Sequence, residues 1–321
     1  MTKPVPAPAP FDNPDADVIL RSSDKEPVDF RTFKLLLSLS SSFFSEILTL
    51  PQPASDAFES PSLYTDEFID ASDAPVIQMA EDAQTLCLLL GFCQPISVAP
   101  LPRISSLHDM HKAIEAACKF EMEGVLTYLR GEIILPRFME AQPLRVFAIA
   151  YRYGWDAEAR KAARYTLRHP IDVAMAFVPE LEFISGATLC RLQEYHRICG
   201  EVASSRALIQ PALAEYTDSW TWISCMKCPA AWTPSHCVVT RRWWADWIKD
   251  VAEELRVKPW GESVRKWDAL ERALTSAASC SNCSHRSRED LEAFSLMLSV
   301  AVDKEIAAVK ISCPSTVGCL S

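Results

Sequence analysis

Glycine is scarce in this 321-residue chain, with 8 residues against 22 prolines. Phosphate-binding and nucleotide-binding loops depend on glycine, and the patterns GxxxxGK[ST], GxGxxG and GxSxG do not occur. The HExxH pattern of zinc proteases is also missing. Because the starting patterns of these enzyme classes are absent, we predict that the protein is not an enzyme.

Long apolar runs are missing as well. Asp, Lys or Arg interrupts the apolar stretches before they reach the roughly 18 residues that span a bilayer. The N-terminal residues MTKPVPAPAP contain no apolar core of a secretion signal. We therefore expect a soluble intracellular protein, cytoplasmic or nuclear, that has no membrane partner.

Basic charge is in deficit, with 32 Lys and Arg against 42 Asp and Glu and a net charge of −10. Such a balance opposes binding to phosphate backbones, so we expect no nucleic-acid partner. Six of the acidic residues lie in residues 51–75, which contain no Lys or Arg. We interpret this segment as a solvated acidic insertion loop, with an acidic docking site as the alternative.

Hydrophobic periodicity predicts a compact α+β unit over residues 11–135, after a solvated and disordered Pro/Ala tail at 1–10. Residues 16–21 and 28–31 are short apolar segments around a polar turn, which predicts a β-hairpin. A third strand is predicted at 75–79. Helices are predicted at 33–39, 43–50, 83–93, about 105–120 and 122–135.

The order of these segments resembles a BTB/POZ domain of the fungal, basidiomycete-type family. The resemblance is carried by DADVILRSSD from residue 15, VDFRTFKLLLSLSSSFFSEIL from residue 28 and PVIQMAEDAQTLCLLLGFCQP from residue 75. Pro51 to Pro53 form the Pro-Gln-Pro that follows the first helices in this family. The resemblance implies an interaction domain that forms homodimers or binds other proteins.

In this family an Asp of the first strand and a His-Lys pair at the start of the first helix line the groove of the dimer. Asp17 and Lys34 match that pattern, while Phe33 stands where the His often is. The resemblance thus implies an interaction surface at Asp17, Phe33, Lys34, Phe43 and Phe44. A local structural role for Asp17, as a partner of nearby backbone groups, is the alternative.

Several BTB proteins are substrate adaptors of cullin-type ubiquitin ligases and carry an apolar-x-Glu motif after the second helix. Ile47-Leu48-Thr49 has no Glu at the third place. A cullin partner is therefore an alternative to simple self-association. A transcriptional regulator is a second alternative, which the acidic balance disfavours.

The remainder of the chain is predicted to be mostly α-helical. Residues 136–210 contain apolar residues at helical spacing and resemble the helices that follow the BTB domain in the fungal family. Residues 211–321 form a second helical segment that is rich in tryptophan, with eight of the nine Trp between 220 and 267. We expect these rings to fill a small core, with an exposed Trp243-Trp244 pair as an alternative anchor for a partner.

Two CxxC pairs are the sharpest chemical signal: Cys225 with Cys228, and Cys280 with Cys283. Two such knuckles supply the four thiolates of a closed, tetrahedral structural Zn²⁺ site. The 51 residues between the pairs exceed the usual 15 to 20. However, residues 241–255 and 262–278 read as a helical hairpin that returns its two ends to one place.

This arrangement also resembles the C-terminal part of the fungal family, where paired cysteines bracket a helix with two adjacent Trp. We predict a structural zinc site at these four cysteines. Reduced thiols without a metal are the alternative, and His236, Cys237 and His285 are alternative ligands. Together, these patterns predict a protein-protein interaction module with a BTB-like N-terminal domain and a zinc-stapled helical C-terminal region.

Overall fold

The computed structural model describes residues 3–49, 74–208, 220–233 and 238–311. The chain divides into two compact units, Met1–Leu135 and Pro136–Ser321. The helical region and the Trp-rich segment, which the sequence separates near residue 210, belong to the same second unit. The acidic insertion lies almost entirely outside the described residues.

The first unit contains a four-stranded mixed sheet with the order β1-β3-β2-β4. Its strands are β1 (Val5–Pro6), β2 (Val18–Arg21), β3 (Val28–Thr32) and β4 (Val76–Gln78). Strands β2 and β3 pair antiparallel, with Leu20 opposite Phe30, and form the hairpin predicted from the sequence. Strand β4 lies parallel to β2, with Ile77 opposite Leu20.

Residues 3–10, in the segment predicted to be a disordered and solvated tail, contain a short strand. Strand β1 lies parallel to β3; the backbone N–H of Val5 donates to Pro27 O at 2.8 Å, and that of Ala7 donates to Asp29 O at 2.9 Å. Ala7 is buried. A Pro-rich segment can join a sheet in this way because an edge strand needs only part of its backbone donors.

Helices complete the described part of the first unit, residues 3–49 and 74–135. They are α1 (Lys34–Ser40), α2 (Ser42–Thr49), α3 (Ala83–Cys93), α4 (Leu107–Lys119) and α5 (Glu123–Ile133). Ser41 separates α1 from α2: its Oγ accepts from the backbone N–H of Phe44 at 3.0 Å and donates to the carbonyl of Phe120. This serine therefore caps the start of α2. The core buries Ile19, Leu37, Met110 and Leu129.

The second unit is mainly helical. Its helices are α6 (Pro136–Met139), α7 (Pro143–Arg152), α8 (Asp156–Thr166), α9 (Ile171–Ala174), α10 (Gly186–Leu208), α11 (Thr221–Ser224), α12 (Arg242–Val257), α13 (Trp267–Ala278) and α14 (Ser287–Ala308). Short 3₁₀ helices lie at Pro179–Phe183 and Gly261–Arg265. A small antiparallel hairpin is formed by β5 (Ala230–Thr233) and β6 (Val238–Arg241).

Helix α10 is the long central element of the second unit and packs against α12 and α14. It crosses α12 at Gly200, where a Cβ atom would lie 2.4 Å from the carbonyl oxygen of Arg256. Only glycine allows the two backbones to come this close. Between α7 and α8, Gly154 adopts a φ of 69°, a left-handed conformation that follows the end of α7.

A helix that crosses a bilayer must be both long and apolar. Across residues 3–49, 74–208, 220–233 and 238–311, no helix combines the length and the apolar composition that crossing a bilayer requires.

Candidate metal centre

Each CxxC pair lies at a junction between secondary-structure elements. Cys225 follows α11 directly, and Cys228 comes two residues before β5. Cys280 follows the last turn of α13, and Cys283 comes four residues before α14. The two knuckles are therefore short connections whose ends are fixed by the elements around them.

The four cysteines meet at one place. Their sulfur atoms all lie within 4.8 Å of one another, with Cys225 Sγ 3.8 Å from Cys280 Sγ and Cys228 Sγ 3.6 Å from Cys283 Sγ. These separations exceed the roughly 2.05 Å of a disulfide. Four sulfurs placed tetrahedrally at 2.3 Å from a zinc ion lie about 3.8 Å apart, so the observed spacing suits such an ion. The cluster is compatible with a structural metal such as zinc.

Backbone N–H groups favour the thiolate form of the first cysteine in each pair. The N–H groups of Cys283 and Asn282 lower the pKa of Cys280 to about 6. Burial opposes the same effect at Cys225, but the N–H groups of Cys228 and Lys227 lower its pKa. Each knuckle thus directs two backbone donors at its first sulfur, as expected for a metal-binding CxxC turn.

The second cysteine of each pair is in a different environment. Burial raises the pKa of Cys228 to about 11, and burial together with the neighbouring thiols raises the pKa of Cys283. Four crowded thiols do not all ionise without a cation, because adjacent thiolates repel one another. A bound dication removes this repulsion and deprotonates its thiol ligands.

Two polar contacts join the knuckles. Lys227 Nζ donates to Ser281 Oγ at 3.0 Å, which links the middle of one CxxC turn to the middle of the other. Asp290, buried in the first turn of α14, accepts hydrogen bonds from the backbone N–H of Thr221, at 2.9 Å, and from its hydroxyl. Thr221 is the first residue of α11, so Asp290 holds α11, which Cys225 follows, against α14, which begins after Cys283.

Aromatic rings form the core of the second unit. The indole of Trp222 stacks on that of Trp244, with centroids 5.5 Å apart and an interplanar angle of 8°. The indole of Trp220 also stacks on that of Trp222, with ring centroids 4.9 Å apart. The ring of Phe294 packs edge-on against Trp222. Trp243 and Trp244 are both buried, so they do not form an exposed anchor. The exposed indoles are those of Trp232 and Trp267.

Of the three alternative ligands, only His285 lies among the described residues. His285 is exposed in the turn before α14 and is not among the four grouped ligands. His236 and Cys237 lie outside the described residues.

Asp17, Phe33 and Lys34 lie together where β2 begins and α1 starts. Asp17 Oδ1 accepts a hydrogen bond from the backbone N–H of Lys34 at 2.7 Å. Phe33 precedes α1 and has no side-chain oxygen, so the exposed carboxylate of Asp17 satisfies the helix donor instead. This contact gives Asp17 a local structural role, while Phe33 and Lys34 remain half-buried.

Phe43 and Phe44 at the start of α2 contact the core of the first unit. Phe44 is buried and stacks on Phe120 at 5.0 Å. Phe43 is half-buried, with its ring 5.5 Å from that of Phe120. Of the two, only Phe43 keeps part of its side chain at the surface.

A scan against protein-family models finds no match, and a search of curated proteins finds no similar sequence. The BTB/POZ resemblance accordingly rests on the sequence segments quoted above.

Sequence reasoning missed the contact between Thr221 and Asp290, and it missed Phe294, which packs edge-on against the indoles. A signal for Phe294 exists, because the buried residues of α14 follow helical spacing: Leu291, Phe294, Leu298, Val302 and Ile306. The hydrogen bond between Thr221 and Asp290 joins residues that are 69 positions apart, so a local sequence pattern cannot predict it.

Proposed function

We propose that this chain is a protein-interaction module in which the N-terminal unit mediates self-association and the C-terminal unit is held together by a structural zinc ion. The observation that carries the proposal is the convergence of Cys225, Cys228, Cys280 and Cys283 within 4.8 Å. A complete shell of four cysteines leaves no open coordination position for a reacting water. The metal therefore serves folding rather than catalysis.

Zinc is the metal that best suits this donor set. Four thiolates form a soft ligand shell, which favours zinc over magnesium or calcium. Cys225, Cys228, Cys280 and Cys283 would hold the ion, while Lys227 supplies a positive charge between the knuckles. When bound, zinc would link α11, β5, α13 and α14 and contribute to the free energy of unfolding.

Self-association through the first unit is supported by the surface of α1. Leu35 and Leu39 are 68% and 76% exposed and lie one turn apart, so they form an apolar strip on the helix. The BTB/POZ resemblance implies a dimer surface in this region, next to Asp17, Phe33 and Lys34. Burying two such leucines against a second copy removes apolar area from water and stabilises a homodimer.

Metal content and oligomeric state of the purified full chain test both parts of the proposal. We expect elemental analysis to find one zinc per chain. We expect size-exclusion chromatography with light scattering to give the mass of a dimer or a larger oligomer. A chain without metal contradicts the structural zinc. A monomer at all concentrations tested contradicts self-association.

A further inference from the structure

The β5–β6 hairpin presents an apolar surface next to the metal centre. Trp232 and Val239 are direct cross-strand neighbours and are 62% and 46% exposed. Met226, between the two cysteines of the first knuckle, is 84% exposed. We call the surface formed by Met226, Trp232 and Val239 the hairpin patch. A large aromatic ring left in water beside two further apolar side chains is typical of a protein-binding surface.

A buried cation lies beside the hairpin patch. Arg241 is opposite Ala230, and strand alternation places it on the same face as Trp232 and Val239. Its side chain reaches Met226, with Arg241 Nη2 3.6 Å from Met226 Sδ. Arg241 is only 7% exposed, yet its Nε has no hydrogen-bond partner among the described residues. Arg241 therefore adds a positive charge beneath the hairpin patch, next to Met226.

The sequence around Arg241 carries only basic charges. Residues 219–245 contain Lys227, Arg241 and Arg242 but no Asp or Glu, although the whole chain has a net charge of −10. Arg242 is exposed and forms no ion pair within the part of the chain that the structure describes. Residues 219–245 are therefore basic in sequence, and the hairpin within them carries an exposed indole, although the chain as a whole is acidic.

We propose that the hairpin patch docks an acidic peptide segment that carries an aromatic or large aliphatic side chain. Trp232 and Val239 cover the apolar side chain of the partner, and the exposed Lys227 and Arg242 pair with its carboxylates. The inference rests on the proposed function, because Cys228 lies two residues before β5 and the metal would fix the base of the hairpin.

The experiment uses the zinc-loaded full chain and a fluorescein-labelled peptide, EDYEDFEDLE, with binding followed by fluorescence anisotropy. We expect binding that weakens as salt is raised, since the carboxylate contacts are screened. Trp232→Ala should weaken the affinity by at least about tenfold, and Arg242→Gln should weaken it as well. Both residues are exposed, so neither change threatens folding. Trp267→Ala, which removes the other exposed indole of this unit, is the matched control and should bind like the wild type.

Two further probes decide the chemistry of the partner. The peptide QNYQNFQNLQ keeps the apolar side chains without the charge and should not bind. A single-stranded oligo-dT is the probe for nucleic acid and should bind more weakly than the acidic peptide. The docking proposal is overturned by absent peptide binding, by unchanged affinity in Trp232→Ala, or by equal binding of the neutral peptide or of oligo-dT.

Zinc content and elution volume are measured on the same samples, so that failures can be assigned. A zinc-loaded, self-associated chain that ignores the peptide rejects the hairpin patch and leaves the proposed function intact. A chain that binds the peptide through Trp232 but holds no zinc supports the hairpin patch and rejects the structural zinc.

Discussion

Asp290 and Thr221 form a buried polar contact between the two halves of the cysteine cluster. The carboxylate of Asp290 accepts from the backbone N–H of Thr221 at 2.9 Å and from its hydroxyl, and both residues are buried. The contact also satisfies the first free donor of α11, a helix of only four residues that Cys225 follows directly. A single carboxylate therefore supports both a helix start and the spacing of the metal ligands.

Replacing Asp290 with Ala should lower the free energy of unfolding by about 2 kcal/mol, because two buried donors of Thr221 lose their acceptor. Equilibrium urea unfolding measures the change. Glu289→Ala is the matched control, because Glu289 is an exposed acidic residue in the same first turn of α14. If the two variants are equally stable, the contact with Thr221 is not what Asp290 contributes.

Removing one ligand from either knuckle should abolish metal binding and lower the melting temperature. We expect Cys225→Ser and Cys280→Ser each to lose the zinc, because a structural site needs its full shell and contributes on the order of 10 kcal/mol. Elemental analysis and thermal melting with and without a chelator measure both effects. Cys190→Ser, at an exposed free thiol of α10, should keep the metal and the melting temperature. Retention of zinc by both knuckle variants would refute a four-cysteine site.

Charged substitutions on α1 should dissociate the self-associated chain. Leu35→Glu together with Leu39→Glu replaces the apolar strip with two carboxylates that a dimer would have to desolvate. Size-exclusion chromatography with light scattering should show a monomer of unchanged helical content. Ile96→Glu, an equally exposed apolar position of the same unit, should leave the mass unchanged. Dissociation by both changes would mean that α1 has no special role.

Acid sensitivity of the first unit should depend on Asp82. Burial alone would raise its pKa, but hydrogen bonds from Lys112 Nζ at 2.7 Å and from the backbone N–H of Thr85 at 2.8 Å lower the pKa from 3.8 to about 2. Because the folded-state pKa is depressed, the ionised carboxylate stabilises the fold above about pH 4, and this contribution is lost as the pH falls towards 2.

Asp82→Asn should therefore be less stable than the wild type at neutral pH, with a difference that shrinks between pH 4 and pH 2. Urea unfolding followed by far-UV circular dichroism at several pH values measures this difference. Glu115→Gln, a nearby carboxylate of α4, provides the comparison. A difference for Asp82→Asn that does not vary with pH would show that charge is not the cause.

Two glycines should respond in opposite ways to alanine. Gly154 has a φ of 69°, which disfavours any side chain, so Gly154→Ala should destabilise the fold by about 1 kcal/mol. Gly131 lies in α5, and an added Cβ would meet no atom within 4 Å. Gly131→Ala should stabilise by about 0.5 to 1 kcal/mol, because alanine favours the helix. Urea unfolding of both variants measures these changes, and stabilisation by Gly154→Ala would contradict the left-handed turn.

The sequence predicts the mostly helical architecture and the early hairpin because local periodicity carries both. It also predicts that the two CxxC pairs meet, since α12 and α13 turn the chain back over the 51 residues between them. The β5–β6 hairpin was not predicted, because strands of only four residues give too short an alternating pattern.

The role of the N-terminal residues is equally hard to read from local patterns. Val5 and Pro6 resemble any extended Pro/Ala segment, and their pairing with Val28 and Asp29 depends on a partner more than 20 residues away. Asp17 caps a helix that starts 17 residues later, a contact that only the folded β-hairpin creates. Tertiary context, rather than propensity, decides both features.

The clustering of indoles also makes the two units optically distinct. All nine tryptophans lie in residues 136–321 and none in residues 1–135, so tryptophan emission reports only on the second unit. Backbone ellipticity, in contrast, reports on both. Unfolding curves recorded by the two signals will coincide if the chain melts as one cooperative body and will separate if it does not. The native chromophores alone can therefore reveal whether the two units share their stability, without a label or a truncated chain.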